Sequence, residues 1–180
     1  MQQLVRDALD VARLKVGPLS HYRYPVWQPL VWLALLSLAA ALGAGKFKAS
    51  LPQRLLFFGI LDLISCILST LWLMGWLRIL DRRPFEGTLF PLIVLAATPQ
   101  LLQPVVAMLP DDAGLVATVL LTLYGLVVLV RAVAVATVHR PALIAAGLLA
   151  YLPVALLLYG LAVNIATSLG WLPAPTGTPE

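Results

Sequence analysis

Charge is scarce in this chain. Only 11% of its 180 residues are Asp, Glu, Lys or Arg, where an average soluble domain carries roughly a quarter, so a cytosolic globule is excluded. Cysteine is almost missing as well. Cys66 stands alone inside an apolar run, which rules out an intramolecular disulfide and leaves the redox compartment open. Histidine occurs twice, as His21 and His139, and neither has a second ligand at helical spacing, so no metal or haem site is expected. There is no GxSxG elbow, no HExxH, no phosphate-cradling glycine loop and no close pair of carboxylates in an apolar run. Without those signatures the expectation is a protein that is not an enzyme and holds no cofactor.

What the chain does have is apolar length. The apolar set makes up 61% of the residues and the mean hydropathy is +0.95. Spans of about 20 residues fit about five times into this length. The fold class is therefore all-α, a polytopic transmembrane bundle of about five spans, with a short segment ahead of it. The net charge of +4 does not point to nucleic acid, because the twelve Lys and Arg are scattered beside apolar runs, as topology signals are.

The leading segment, residues 1–18, is too charged to span. At 100° per residue, Leu4, Val5, Ala8, Leu9, Val11, Ala12 and Val16 fill one arc, and Gln2, Gln3, Arg6, Asp7, Asp10 and Arg13 the other. This predicts an amphipathic helix in the membrane interface, apolar side down, stopped at Gly17-Pro18. Asp7 and Asp10 occupy the place where a signal peptide needs its apolar stretch, so no cleavage is expected. Tyr22, Tyr24 and Trp27 then read as an aromatic belt, and with Arg6, Arg13 and Arg131 they are the expected interfacial anchors.

The bundle occupies 19–170, with spans at about 26–44, 55–80, 88–109, 114–137 and 142–169. Ser50 and Gln53 form a capping-box pattern ahead of the second span, and Asp112 is a candidate cap for the fourth. Residues 171–180, rich in Pro and Thr, are expected to be a disordered external tail. Nine of the twelve Lys and Arg fall on the side of the amino terminus, leaving Lys46, Lys48 and Arg54 on the other. The amino terminus is thus expected in the cytoplasm and the carboxyl terminus outside. Heavy use of Ala, Leu, Val, Arg and Pro suggests a bacterium with a GC-rich genome, and hence its inner membrane.

Asp62 is the one carboxylate well inside a span, where an ionised carboxylate costs several kcal/mol unless paired or watered. Gly59, Ser65, Cys66 and Ser69 share its face. Counting about 1.5 Å per residue places Ser37, Gln100, Gln103, Thr122 and Asn164 at a depth near that of Asp62. Ser37, Asp62, Ser65, Gln100, Gln103, Thr122 and Asn164 therefore form a candidate polar layer, with Asn164, Gln100 or Gln103 the expected partner of Asp62. The layer reads either as an ion, proton or ligand site or as hydrogen bonds that lock helix packing. Arg131 lies too deep to reach Asp62, and snorkelling to the inner headgroups accounts for it. In the third span Pro99 and Pro104 leave the carbonyls of Leu95 and Gln100 without helical donors, which predicts a break there, with Gln100 and Gln103 beside the freed groups. Ala142, Ala146 and Ala150 recur at four-residue spacing as a close-packing face.

The stretch GTLFPLIVLAATPQLLQPVVAMLP, followed by a long apolar span, a short basic turn and a last apolar span, resembles the Yip-type family of five-span membrane proteins. The resemblance covers roughly residues 82–169 and rests on Gly87, Phe90, Pro99 and the apolar pattern. The family's amino-terminal Asp-Leu-x-Gly-Pro motif has only a poor counterpart in Gln28-Pro29-Leu30 or Val16-Gly17-Pro18. The resemblance implies a non-enzymatic membrane scaffold and carries over no functional residue. Two functions are thus in view: an accessory subunit that assembles or stabilises a larger inner-membrane complex, its partners the bilayer and other membrane subunits, and a small transporter or channel component built on the polar layer around Asp62.

Overall fold

The computed structural model describes residues 1–45, 47–80 and 87–172. Its regular structure is helical throughout, with no strand among the described residues. Helix α1 is Gln2–Ala12, and a 3-10 turn at Leu19–Tyr22 leads to α2, Trp27–Gly43. Helix α3, Leu51–Leu80, is followed by the short α4, Phe90–Ala96, a 3-10 segment at Thr98–Leu102 and α5, Gln103–Val106. Two long helices end the chain, α6 at Asp111–Thr137 and α7 at Pro141–Ser168. Three helices, α3, α6 and α7, are long and apolar enough to cross a membrane. Helix α2, with 17 residues, and the run Phe90–Val106 are apolar and shorter.

The helix ends follow from local chemistry. Gln53 turns back so that its Oε1 accepts from the Ser50 N–H at 2.9 Å and from the Ser50 hydroxyl at 2.8 Å, which starts α3 at Leu51. The Arg54 guanidinium donates to the carbonyls of Ala41 and Ala44, at 3.3 and 3.0 Å. A cation thereby meets the negative end of α2. Asp112 is not the cap of α6. That position is Pro110, and Asp111 and Asp112 stand in the first turn, where carboxylates still favour the helix dipole. Val138 ends α6 in the left-handed region at φ 57°, with the His139 N–H bonded to the Ala134 carbonyl. The charged loop at 81–86, Lys46 and the tail at 173–180 lie outside the described residues. Trp171, at the start of the expected tail, is held: its carbonyl accepts from the Lys48 N–H at 2.9 Å and its ring meets Phe57 edge-on.

The most buried stretch is the broken segment. Leu89, Leu92, Ile93, Val94, Leu95 and Ala96 are all enclosed, by α1, α2, α3 and the second half of α6. The core therefore gathers at one end of the bundle, around Trp32, Leu36, Leu73, Leu77, Val128, Val133 and Ile144. Towards the other end α6 and α7 present exposed Leu and Val over most of their surface, as spanning helices facing lipid do.

Proline makes the break for the reason covalent geometry gives. With no N–H at Pro99 the helix cannot continue past Ala96, and the chain tightens into the 3-10 segment. The freed groups are satisfied, among the described residues, without the side chains of the two glutamines, though the backbone of Gln103 takes part. Thr98 Oγ1 donates to the Leu95 carbonyl at 2.6 Å and accepts from Trp32 Nε1 at 3.2 Å, and the Gln103 N–H bonds to the Gln100 carbonyl. Thr98 thus ties the break to α2.

Helix α7 packs on α3 through two indoles. Trp72 Nε1 donates to the Gly147 carbonyl at 2.9 Å and Trp76 Nε1 to the Leu143 carbonyl at 3.1 Å. The close approach needs Gly147, since a Cβ there would sit 2.7 Å from Trp76 Cδ1. The alanine face, which the sequence left open to a neighbour within the chain or a partner subunit, does not make this contact: Ala142, Ala146 and Ala150 are exposed, and Ile144 and Gly147 face inward.

Candidate functional site

Two polar constellations emerge. The first is the pair Ser37–Asp62, where α2 lies against α3. Asp62 is half-buried and Ser37 buried. Ser37 Oγ lies 2.7 Å from Asp62 Oδ2 and 3.0 Å from the Leu33 carbonyl. A hydroxyl has one proton to give, so both contacts are full hydrogen bonds together only when the carboxyl supplies a proton to the serine oxygen. This is an arrangement able to hold or release one proton between two helices.

The rest of the expected layer does not assemble. Gln100, Thr122 and Asn164 are exposed, and Gln103 is half-buried without a bond to Asp62. Depth was a matter of counting, but the side a residue faces depends on helix rotation, and these helices turn those residues outward. Thr122 satisfies itself by donating to the Thr118 carbonyl at 2.8 Å. Ser65 is half-buried beside Asp62's helical face, and its carbonyl accepts from the Ser69 hydroxyl at 2.7 Å. The partner of Asp62 is therefore Ser37, and not Asn164, Gln100 or Gln103.

The second constellation holds α1 to the bundle. Leu4, Ala8 and Val11 have no exposed surface, and Asp7 beside them is only 7% exposed. The Tyr24 hydroxyl donates to Asp7 Oδ2, and His21 Nε2 lies 3.1 Å from Asp7 Oδ1. This contact is ionic when the imidazole is protonated. Tyr22 is buried too, its phenol oxygen accepting from the Gly17 N–H at 3.0 Å. At the far end of α1 the Tyr124 hydroxyl donates to the Ala12 carbonyl. Burial holds the phenols of Tyr22 and Tyr24 above their usual range, and at Tyr24 the bond to Asp7 adds to it.

The anchors divide accordingly. Tyr22 and Tyr24 serve as inward struts, while Trp27, Arg6, Arg13 and Arg131 are exposed. The apolar stripe Leu4–Ala8–Val11 expected to lie on lipid is covered by protein, because α4 and the second half of α6 offer an equally apolar surface. Sequence reasoning placed Asp7 on the polar arc and assigned it no role. The one available signal was the run of Tyr and His at 21–24, partners able to bring a carboxylate inside. Beside this cluster opens a cavity of about 330 Å³ lined by Asp7, Asp10, Lys15, Gly17, His21 and Tyr22, among others. Among the described residues no group of three or more His, Cys, Asp or Glu is placed to hold a metal ion. No protein-family model, curated protein or solved structure matches the chain.

Proposed function

We propose that the protein is a non-enzymatic integral membrane scaffold, an accessory subunit that assembles or stabilises a larger complex in a bacterial inner membrane. In this reading α2 and the broken α4–α5 segment join α3, α6 and α7 as five spans, with the amino terminus cytoplasmic and the carboxyl terminus periplasmic. The Yip-type resemblance of residues 82–169 implies the same class of function.

The observation that carries the reading is Asn164. It stands exposed on α7 among exposed Leu157, Gly160, Leu161 and Ile165, and its side-chain amide makes no hydrogen bond among the described residues. A side-chain amide at the edge of hydrocarbon gains from a partner, and polar residues next to glycine are where membrane helices pack. A neighbouring subunit's helix supplies both the bond and the close approach over Gly160. Purification in mild detergent followed by native mass analysis tests this. A co-purifying membrane subunit, lost on Asn164→Leu, is the expected outcome, and a monodisperse lone monomer counts against it.

A second reading, a small transporter or channel component, draws on the Ser37–Asp62 pair as a proton-holding group between two helices. Asp62→Asn should then abolish a measurable flux in proteoliposomes, and unchanged flux removes this reading.

A further inference from the structure

We propose that the cavity between α1 and the chain that folds back over it binds a small zwitterion, a primary ammonium joined by a few bonds to a phosphate or carboxylate. The site begins with a turn. Leu14, just past α1, stands in the left-handed region at φ 63°, and the Lys15 N–H returns to the Asp10 carbonyl at 2.8 Å, so the chain runs back along the helix. The Gly17 N–H then donates to the Tyr22 phenol oxygen at 3.0 Å, and the His21 imidazole reaches Asp7 at 3.1 Å. These two bonds hold the returning wall in place. Between it and α1 lies the cavity of about 330 Å³, near the lower end of the roughly 300–1,000 Å³ usual for small-molecule sites. At about 30 Å³ for each water displaced, it has room for a solute of about ten non-hydrogen atoms.

The polar groups around the cavity differ in what they have left to offer. Asp7 is fully bonded, one carboxylate oxygen to His21 and the other to Tyr24. Asp10 and Lys15 are not. Both line the cavity, yet they form no ion pair with each other, and neither side chain makes a hydrogen bond among the described residues. Tyr22 adds a donor. Its phenol oxygen accepts from Gly17, which leaves the O–H proton of a residue only 4% exposed without an acceptor among the described residues. Burial keeps that proton on the oxygen. The site thus presents a carboxylate together with an ammonium and a phenolic donor, a set that a lone cation or a lone anion would satisfy only in part. A zwitterion satisfies all of it, with its ammonium on Asp10 and its oxyanion on Lys15 and the Tyr22 hydroxyl. Val16 and Pro18 supply the apolar wall for the short carbon link. The mouth is open to water, since Arg13, Lys15, Ser20 and His21 around it are exposed.

The test uses the full chain in maltoside micelles, which carry no charged headgroup, with binding read by isothermal titration calorimetry. Phosphoethanolamine should bind at least about tenfold more tightly than ethanolamine or inorganic phosphate, since each half meets only one end of the site. Phosphocholine, whose quaternary ammonium has no N–H to donate, should also bind more weakly. Asp10→Asn and Lys15→Gln should each weaken phosphoethanolamine binding about tenfold without lowering the unfolding midpoint, because neither side chain has a partner to lose among the described residues. Tyr22→Phe should weaken it several-fold. Absence of phosphoethanolamine binding, binding no tighter than that of the two halves, or binding that Asp10→Asn and Lys15→Gln both leave unchanged overturns the proposal. Nanodiscs then identify the source of the zwitterion. Phosphoethanolamine binding several-fold weaker in phosphatidylethanolamine discs than in phosphatidylglycerol discs assigns the site to a lipid headgroup, and equal binding in the two assigns it to a soluble solute.

Discussion

Replacing Gly147 with alanine should open the seam between α3 and α7. An added Cβ would lie 2.7 Å from Trp76 Cδ1 and 2.8 Å from Trp76 Nε1, where ordinary contact begins near 3.4 Å. The indole must retreat by most of an ångström. Its Nε1 already reaches the Leu143 carbonyl at 3.1 Å, so the retreat takes that bond beyond hydrogen-bonding distance. Overpacking costs about 1–3 kcal/mol, and an interhelical bond in a membrane about 0.6 kcal/mol. Alanine's better helix propensity returns about 1 kcal/mol. The net destabilisation is then about 0.6–2.6 kcal/mol. Equilibrium unfolding in mixed micelles, followed by tryptophan fluorescence, measures it. Gly160→Ala is the control, since a Cβ there meets nothing within 4 Å, and it should be neutral or slightly stabilising. Trimming the indole, as in Trp76→Leu, should remove most of the penalty of Gly147→Ala when the two are combined. A Gly147→Ala protein as stable as wild type would refute the reasoning, because it would mean that the indole does not occupy that space.

Thr98→Val keeps the shape of the side chain but deprives the Leu95 carbonyl of its donor and Trp32 Nε1 of its acceptor; a loss of about 1–3 kcal/mol is expected, read as a lowered unfolding midpoint. Val138→Gly should stabilise, because a β-branched residue at φ 57° bears about 1–2 kcal/mol of strain that glycine does not, and an unchanged or lower midpoint would argue against that strain. Tyr24 keeps its proton above the usual value because burial disfavours the phenolate and Asp7 accepts its hydrogen bond. Since its folded pKa is raised, the stability it contributes is fully present below about pH 10 and is lost as pH rises through the higher folded value. The phenolate absorbance difference between wild type and Tyr24→Phe should therefore show a midpoint above that of a free tyrosine, and release of α1, followed by proteolysis near Gly17, should set in only there.

Composition and covalent geometry were enough for the class and for one detail. A chain with 61% apolar residues and so few charges has to bury its backbone polar groups in helices if it enters a bilayer, and the regular structure among the described residues is all helical. Pro99 has no N–H to offer, so the break after Ala96 was legible residue by residue. The Ser50–Gln53 cap was legible because it is local. What the sequence could not specify was azimuth. Counting residues gives depth along a helix, whereas the partner of Asp62 depends on how the helices are rolled about their axes, and that roll is set by distant contacts such as Trp76 against Gly147. Hence Asp62 meets Ser37, and Asn164, at a comparable depth, faces outward.

The same limit governed α1. Its apolar stripe could be read from the periodicity, but lipid and protein interior are chemically alike to Leu4, Ala8 and Val11, so the sequence determined that the stripe would be covered and only the tertiary structure decided by what. Asp7 was drawn inside with the stripe because Tyr24 and His21, brought back by the turn at 19–22, supply the hydrogen bonds a buried carboxylate requires.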